Sequence, residues 1–546
     1  MPPNDPLPQP ESSKKRSRSG CITCRIRRVK CDESKPLCDR CASTGRRCDG
    51  YSSQLSSRAL ASAVKSLHIV GPASRVLGLG VGGGGGQPSV PASQAESLCF
   101  DFFRVCTAAM TSSVFPAPFW SSEVMKLAHC EPAVWKSVVA VGALHRRWEC
   151  ASSAADKRQE LVERFTKEAL KHYWGAIRLA RDLKDAKVLV VVSVVLAAAA
   201  NMAGQWGDSQ VHVRSGMRLL AQMDLSNRNG EMESVAQTLG RLDFQAMVFN
   251  DRDAEYQYVE EDGSIPVWFH GTGKNMMPPG VGGELELTDL TQASTVLFGL
   301  IRYYFTVMAA AEKGCFPVDD LGDVHVRVVQ ETERWKVEFE RLVVDVERAA
   351  SRQKRTEEDV LATKRSILSL RLYHTTFNLL LTAGLGGPES RWDDHQPIFD
   401  RMLALAEELE QNTKSPLPFF MSLEPGLVMP LFLVATRCRH PIVRRRALNL
   451  LRELKRQEGV WNSSGAAVVA EQIVMAEEEE MPFYLPLILV NLDSIKPPSL
   501  EENGWPMIPE ELRISRNAVL VDVESNRIEL FLFRNHLDGS GDYLVK

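Results

Sequence analysis

Residues 21–48 read CITCRIRRVKC, then DESKPL, then CDRCASTGRRC. The same phrase, Cys-x2-Cys-x6-Cys, is written twice with six residues between the copies. Cys-x2-Cys places two sulfurs on one tetrahedral zinc without strain. Two zinc ions need eight sulfur contacts, and six cysteines supply them if two bridge both ions. The repeat makes Cys21 and Cys38 the natural bridges, with Cys24 and Cys31 completing one site and Cys41 and Cys48 the other. So short a segment buries no core of its own. Metal binding therefore supplies most of its folding free energy, on the order of 10–16 kcal/mol in small peptides. A three-disulfide scaffold belongs to secreted chains. The tail MPPNDPLPQPESSKKRSRSG has no apolar stretch to act as a secretory signal.

Charge sharpens the reading. From Ser12 to Tyr51 there are 12 Lys/Arg against four Asp/Glu, while the whole chain carries −4. Six thiolates and two zinc ions leave this segment about +6, so the positive field is concentrated where the metal sits. Arg25, Arg27, Arg28 and Lys30 follow Cys24 on an expected short helix. An arginine fork grips guanine O6 and N7 together, whereas a phosphate needs only a charge. The run Ser13-Lys-Lys-Arg-Ser-Arg-Ser19 predicts a nuclear import signal, a phosphate-clamping arm, or both.

Cys21 to Tyr51 resembles the fungal Zn2Cys6 binuclear-cluster transcription factors: CRIRRVKCD after the second cysteine, Pro36 before the fourth, Gly45 before the last, and no departure in the six cysteines. The resemblance implies two zinc ions and a helix that enters the major groove of double-stranded DNA to read a CGG-like triplet. It puts Arg27 and Arg28 at base-contacting positions, with Arg25 and Lys30 better placed for phosphate. It also implies a nuclear protein acting with the transcription machinery or co-regulators. The alternative is a nuclear scaffold that uses the cluster to bind protein.

The rest of the chain is organised around that module. Residues 1–20 are expected to be a disordered basic tail, 21–51 the DNA-binding domain, and 52–95 a flexible Ser/Gly-rich linker containing five consecutive glycines at 82–86. Such a coil of ~45 residues spans roughly 35–40 Å on average. Gly78, Gly80 and Gly83 spell a nucleotide-binding fingerprint, but Pro88 and Pro91 break the helix that should follow. Leu55, Leu60, Val64 and Leu67 hint at an amphipathic helix that Gly71-Pro72 stops after barely two heptads. A homodimer and a monomer on one half-site both stay open.

Residues 96–500 read as a large, mostly α-helical regulatory domain, with helical spacing at Ala133–Ala143, Leu161–Arg181 and Ser366–Leu380. Its length suggests two packed lobes. Val188–Ala200 is apolar apart from Ser193 but too short to span a bilayer, so it predicts a buried helix and no membrane partner. Residues 501–546 carry an expected β-hairpin, Ala518–Val523 and Arg527–Phe533. GALHRRWE (142–149), PESRWD (388–393), the run from Arg437 through VRRRALNLLRELKRQEGVWNS, and IPEELRISRNAVLVD resemble the regulatory domain that accompanies these clusters. Arg444–Arg446 read as a solvated helix face, and Glu477–Glu480 as a charged helix end before a buried segment. His145 reads as a surface or capped residue, and Cys99, Cys106, Cys130, Cys150, Cys315 and Cys438 as core thiols. No G-x-S-x-G, H-E-x-x-H or P-loop occurs, so the chain is not expected to be an enzyme.

Overall fold

The computed structural model describes residues 29–32, 34, 38–44, 93–111, 118–151, 158–223, 232–249, 256–259, 285–352, 356–413, 419–479, 481, 507–522, 527–535 and 541–545. The chain divides into two units, Met1–Gly86 and Gln87–Lys546. In the first, the described regular element is α1, Asp39–Ala42.

The second unit opens with α2 (Gln94–Phe102), which Ser93 and Glu96 start with a reciprocal capping box. A π-helical turn, Phe103–Thr107, leads to α3 (Ala108–Thr111), and a second, Phe119–Glu123, to α4 (Val124–Ala128). Four long helices follow: α5 (Pro132–Ala151), α6 (Arg158–Ala180), α7 (Ala186–Ala203) and α8 (Trp206–Gln222). The expected buried helix is α7. Asp185 caps its first turn, Gly204 ends it at φ 76°, and Val190, Val194, Ala197 and Ala200 have no exposed surface. At Gly142 in α5 the backbone of α2 comes so close that a Cβ would lie 2.1 Å from the Cys99 carbonyl oxygen. That contact is why GALHRRWE needs its glycine.

Next come α9 (Glu233–Met247), α10 (Leu290–Glu312), α11 (Leu321–Arg352), α12 (Glu357–Ala383), a 3-10 turn at Glu389–His395, and α13 (Gln396–Asn412). The chain ends with β1 (Phe420–Ser422), α14 (Val428–Arg437), α15 (Pro441–Leu454), β2 (Arg456–Glu458), β3 (Trp461–Asn462), α16 (Ser463–Glu478) and β4, β5 and β6 (Ile514–Asp522, Arg527–Asn535, Gly541–Val545). β1 runs parallel to β2, which pairs antiparallel with β3.

Several expectations need correcting. Residues 87–546 form one compact unit rather than two lobes, with core clusters around α5–α8, around α10–α12 and around α12–α16. The expected hairpin forms as β4 and β5, and β6 extends it into a three-stranded meander along the other edge of β5. Leu530, Leu532 and Ile514 seat that meander on Ile473 and Ala476 of α16.

Arg444 and Arg445 are not solvated at all: both are fully buried. The Arg444 guanidinium donates to Glu477 (2.7 Å) and Arg445 donates to Glu478 (2.5 Å). Arg446 alone of the three lies toward the surface, paired with Glu407 at 2.8 Å. At the acidic helix end Glu477 is buried too and also accepts from Arg439 (2.8 Å) and from the Ile514 amide (2.9 Å), while Glu478 is half-buried and Glu479 exposed. His145 is buried, shares a hydrogen bond with the Thr107 hydroxyl at 2.8 Å, and burial pushes its pKa down to about 3. Cys99, Cys106, Cys150 and Cys438 are core thiols. Burial pushes the Cys99 thiol up to about 11 and Cys106 and Cys438 to about 12. Cys130 is exposed and Cys315 half-buried.

Candidate metal centre and nucleic-acid interface

Three of the six cysteines lie within the described residues, and all three are buried: Cys31 is 5% exposed, Cys38 and Cys41 not at all. Among the described residues of this segment, the three buried thiols cluster together with the half-buried Val29 packed against them. The donor atoms of Cys31, Asp32 and Cys38 lie within 4.8 Å of one another. Two sulfurs at that spacing are within reach of one ion at Zn–S distances of ~2.3 Å. Cys31 and Cys38 come from different copies of the repeat, so their meeting is what a Cys38 bridge requires.

Local structure explains how the second copy is held. Cys38 is the N-cap of α1, and its Sγ accepts the Cys41 amide at 3.3 Å. The two preceding amides, of Asp39 and Arg40, donate to the two carboxylate oxygens of Asp32 at 2.8 Å each. Three donors that a helix start leaves unpaired are thus satisfied from Cys38 and from the residue after Cys31. The Ser34 hydroxyl donates to the same carboxylate. That bond and the two amides hold the Asp32 carboxyl well below the usual range against the opposing effect of desolvation. With both oxygens hydrogen-bonded, Asp32 ties the two repeat copies together. Sequence reasoning missed it; the available signal was a carboxylate directly after the third cysteine.

The donor set fits zinc: soft, buried and gathered from both halves. Lys30 is exposed beside Cys31, and Arg40 projects from α1 into solvent. Cys21, Cys24, Cys48, Arg25, Arg27 and Arg28 lie outside the described residues, as do the basic run 13–19 and the Leu55–Leu67 segment.

Comparison with known proteins bears on both units. The model of the fungal Zn(2)-Cys(6) binuclear cluster domain matches residues 19–58, and that of the fungal specific transcription factor domain matches residues 98–246. A binuclear cluster of this type holds two zinc ions. The chain is 25% identical over 580 residues to the aspercryptin biosynthesis cluster-specific transcription regulator of Emericella nidulans, covering 86% of this chain and 89% of that one. It is 34% identical over 142 residues to an uncharacterized transcriptional regulatory protein of Schizosaccharomyces pombe (24% of this chain, 25% of the other). It is also 55% identical over 38 residues to white-opaque regulator 2 of Candida albicans, 7% of this chain and 8% of that one. No solved structure matches the chain. The chain thus carries a fungal Zn(2)-Cys(6) binuclear cluster domain followed by a fungal specific transcription factor domain, and over most of its length it is similar to a protein named as a fungal transcription regulator.

Proposed function

We propose that the chain is a zinc-dependent, sequence-specific DNA-binding regulator that reads CGG-like triplets in the major groove from within the nucleus. The observation that carries this is the doubled cysteine grid in a segment where positive charge is concentrated. The approach of Cys31 to Cys38 supports the bridging scheme. Cys21, Cys24, Cys31, Cys38, Cys41 and Cys48 would hold two zinc ions. Arg27 and Arg28 would read bases, and Arg25 and Lys30 would grip phosphate. Residues 21–51 would bind DNA, 52–95 would tether, and 96–500 with the 501–546 segment would govern output through co-regulators, without a membrane.

The test is selection of bound DNA from a random pool by the full-length protein, with zinc and again with a strong chelator. Zinc-dependent enrichment of a CGG-like triplet is expected, and pairs at a fixed spacing would reveal a homodimer. Folded, zinc-loaded protein that enriches nothing would replace this reading with a protein-binding scaffold.

A further inference from the structure

α9, α10, α12, α14 and α16 leave a cavity of about 700 Å³ where their core clusters meet. Its size falls in the range of small-molecule pockets. Most of its wall is apolar, and Phe249, Phe305, Met308, Phe432 and Leu433 are only half-buried there. Apolar side chains left partly uncovered inside a concavity gain on the order of 25 cal/mol per Å² when an apolar ligand covers them.

One corner is different. Arg391 and Arg437 line the cavity. Both donate to Glu389, at 3.2 and 2.9 Å, and Arg439 donates to the same carboxylate at 3.1 Å. The other bonds of Arg437 end on neutral carbonyls, Ile514 at 2.7 Å and Ser515 at 2.8 Å. Those of Arg391 end on the carbonyls of Gly387 and Pro388. The lattice extends through Glu477, Glu478, Arg444 and Arg445, the Arg513–Asp393 pair, and Glu510, which accepts the Glu389 and Ser390 amides. Among the described residues it joins six guanidiniums to five carboxylates. Donors are in excess: Nε of Arg391 and Nε1 of Trp392 and Trp461, all lining residues, have no acceptor. Glu312, exposed and also lining the cavity, would repel an anion from its own position.

We propose that this cavity binds a small amphipathic monoanion, a carboxylate with an apolar body, whose head sits at Arg391 and Arg437 and whose tail covers the aromatic wall. The proposal deepens the regulator reading by giving the helical domain a ligand class. Its test reads binding alone, so it stands or falls independently of DNA recognition.

The probe is 8-anilinonaphthalene-1-sulfonate on the full-length protein, displaced by dodecanoate, dodecanol or dodecylamine below their micelle concentrations. Saturable probe binding and displacement by dodecanoate at a concentration at least tenfold below dodecanol are expected. Arg391→Met should reduce that preference to under threefold. Arg437 is a worse target because it also holds the meander. Leu433→Trp or Met308→Trp, which fill the cavity, should weaken probe binding at least tenfold with an unchanged far-UV spectrum and melting temperature. Equal displacement by acid and alcohol, or tighter displacement by the amine, would overturn the anionic head. Probe binding that is absent, or that survives both tryptophan variants, would overturn the site.

Discussion

Glu477→Gln tests the buried ion-pair lattice directly. Glu477 has no exposed surface and accepts from Arg439 (2.8 Å), Arg444 (2.7 Å) and the Ile514 amide (2.9 Å). Glutamine keeps the shape and can still accept the amide, but it removes the charge that two guanidiniums share and offers one of them a donor. Stripping the partner from a buried pair costs about 3–5 kcal/mol, and retained packing puts this case near the lower end. The unit holding it, Gln87–Lys546, has about 460 residues. With roughly 2.1 cal/mol/K of unfolding entropy per residue, ~3 kcal/mol lowers Tm by about 3 °C in a two-state treatment. Differential scanning calorimetry at fixed protein and zinc concentration reads this, with the exposed Glu479→Gln as a control expected within about 0.5 kcal/mol of wild type. Arg444→Met combined with Glu477→Gln should cost less than the sum of the two.

The pH dependence gives a second check on the same residue. Burial pushes the Glu477 carboxyl up, but Arg439, Arg444 and the Ile514 amide outweigh it and hold it below its ordinary 4.5. Its contribution is therefore fully present above that value and lost as pH falls through the lower, folded-state value. The gap between wild type and Glu477→Gln should be constant from about pH 6 to 8 and close in acid. A variant that melts within 1 °C of wild type at pH 7 would refute the argument that these charges depend on Glu477.

Other outcomes are equally specific. Cys31→Ser should lower the zinc content measured by elemental analysis and abolish DNA binding; unchanged zinc would sink the bridging scheme. Arg28→Ala should cost about 1–3 kcal/mol of DNA affinity and blur base preference, whereas a uniform loss across sequences would reassign Arg28 to phosphate. Affinity of the wild-type protein should fall steeply with salt, as counterion release demands, and a flat titration would count against the basic interface. Gly142→Ala forces a methyl to 2.1 Å from the Cys99 carbonyl oxygen and should destabilise the helical unit by about 1–3 kcal/mol in calorimetry.

The segments that resemble the regulatory domain turn out to be its girders. GALHRRWE supplies Gly142, the buried His145, and Trp148, whose indole N–H donates to the Met202 carbonyl at 3.2 Å. PESRWD supplies Glu389 and Asp393, and IPEELRISRN supplies Arg513, which grips Asp393 through both terminal nitrogens at 2.9 and 2.8 Å. PESRWD and IPEELRISRN, about 120 residues apart in the chain, thus meet in one lattice.

What the sequence determined alone was whatever local spacing can encode. Six cysteines on a fixed grid specify a metal cluster because ligand geometry acts over a few residues. The Val188–Ala200 run specifies a buried helix because it has no polar face to turn toward water. The destinations of charged side chains were decided only by tertiary structure. Arg444 carries the same local signal as Arg446, yet one is fully buried and the other paired at the surface. The difference lies in Glu477, 33 residues away, and in Ala435, whose carbonyl the Arg444 Nε also reaches. Burying a guanidinium is tolerable only where carboxylates are waiting, and no periodicity records where the chain will bring them.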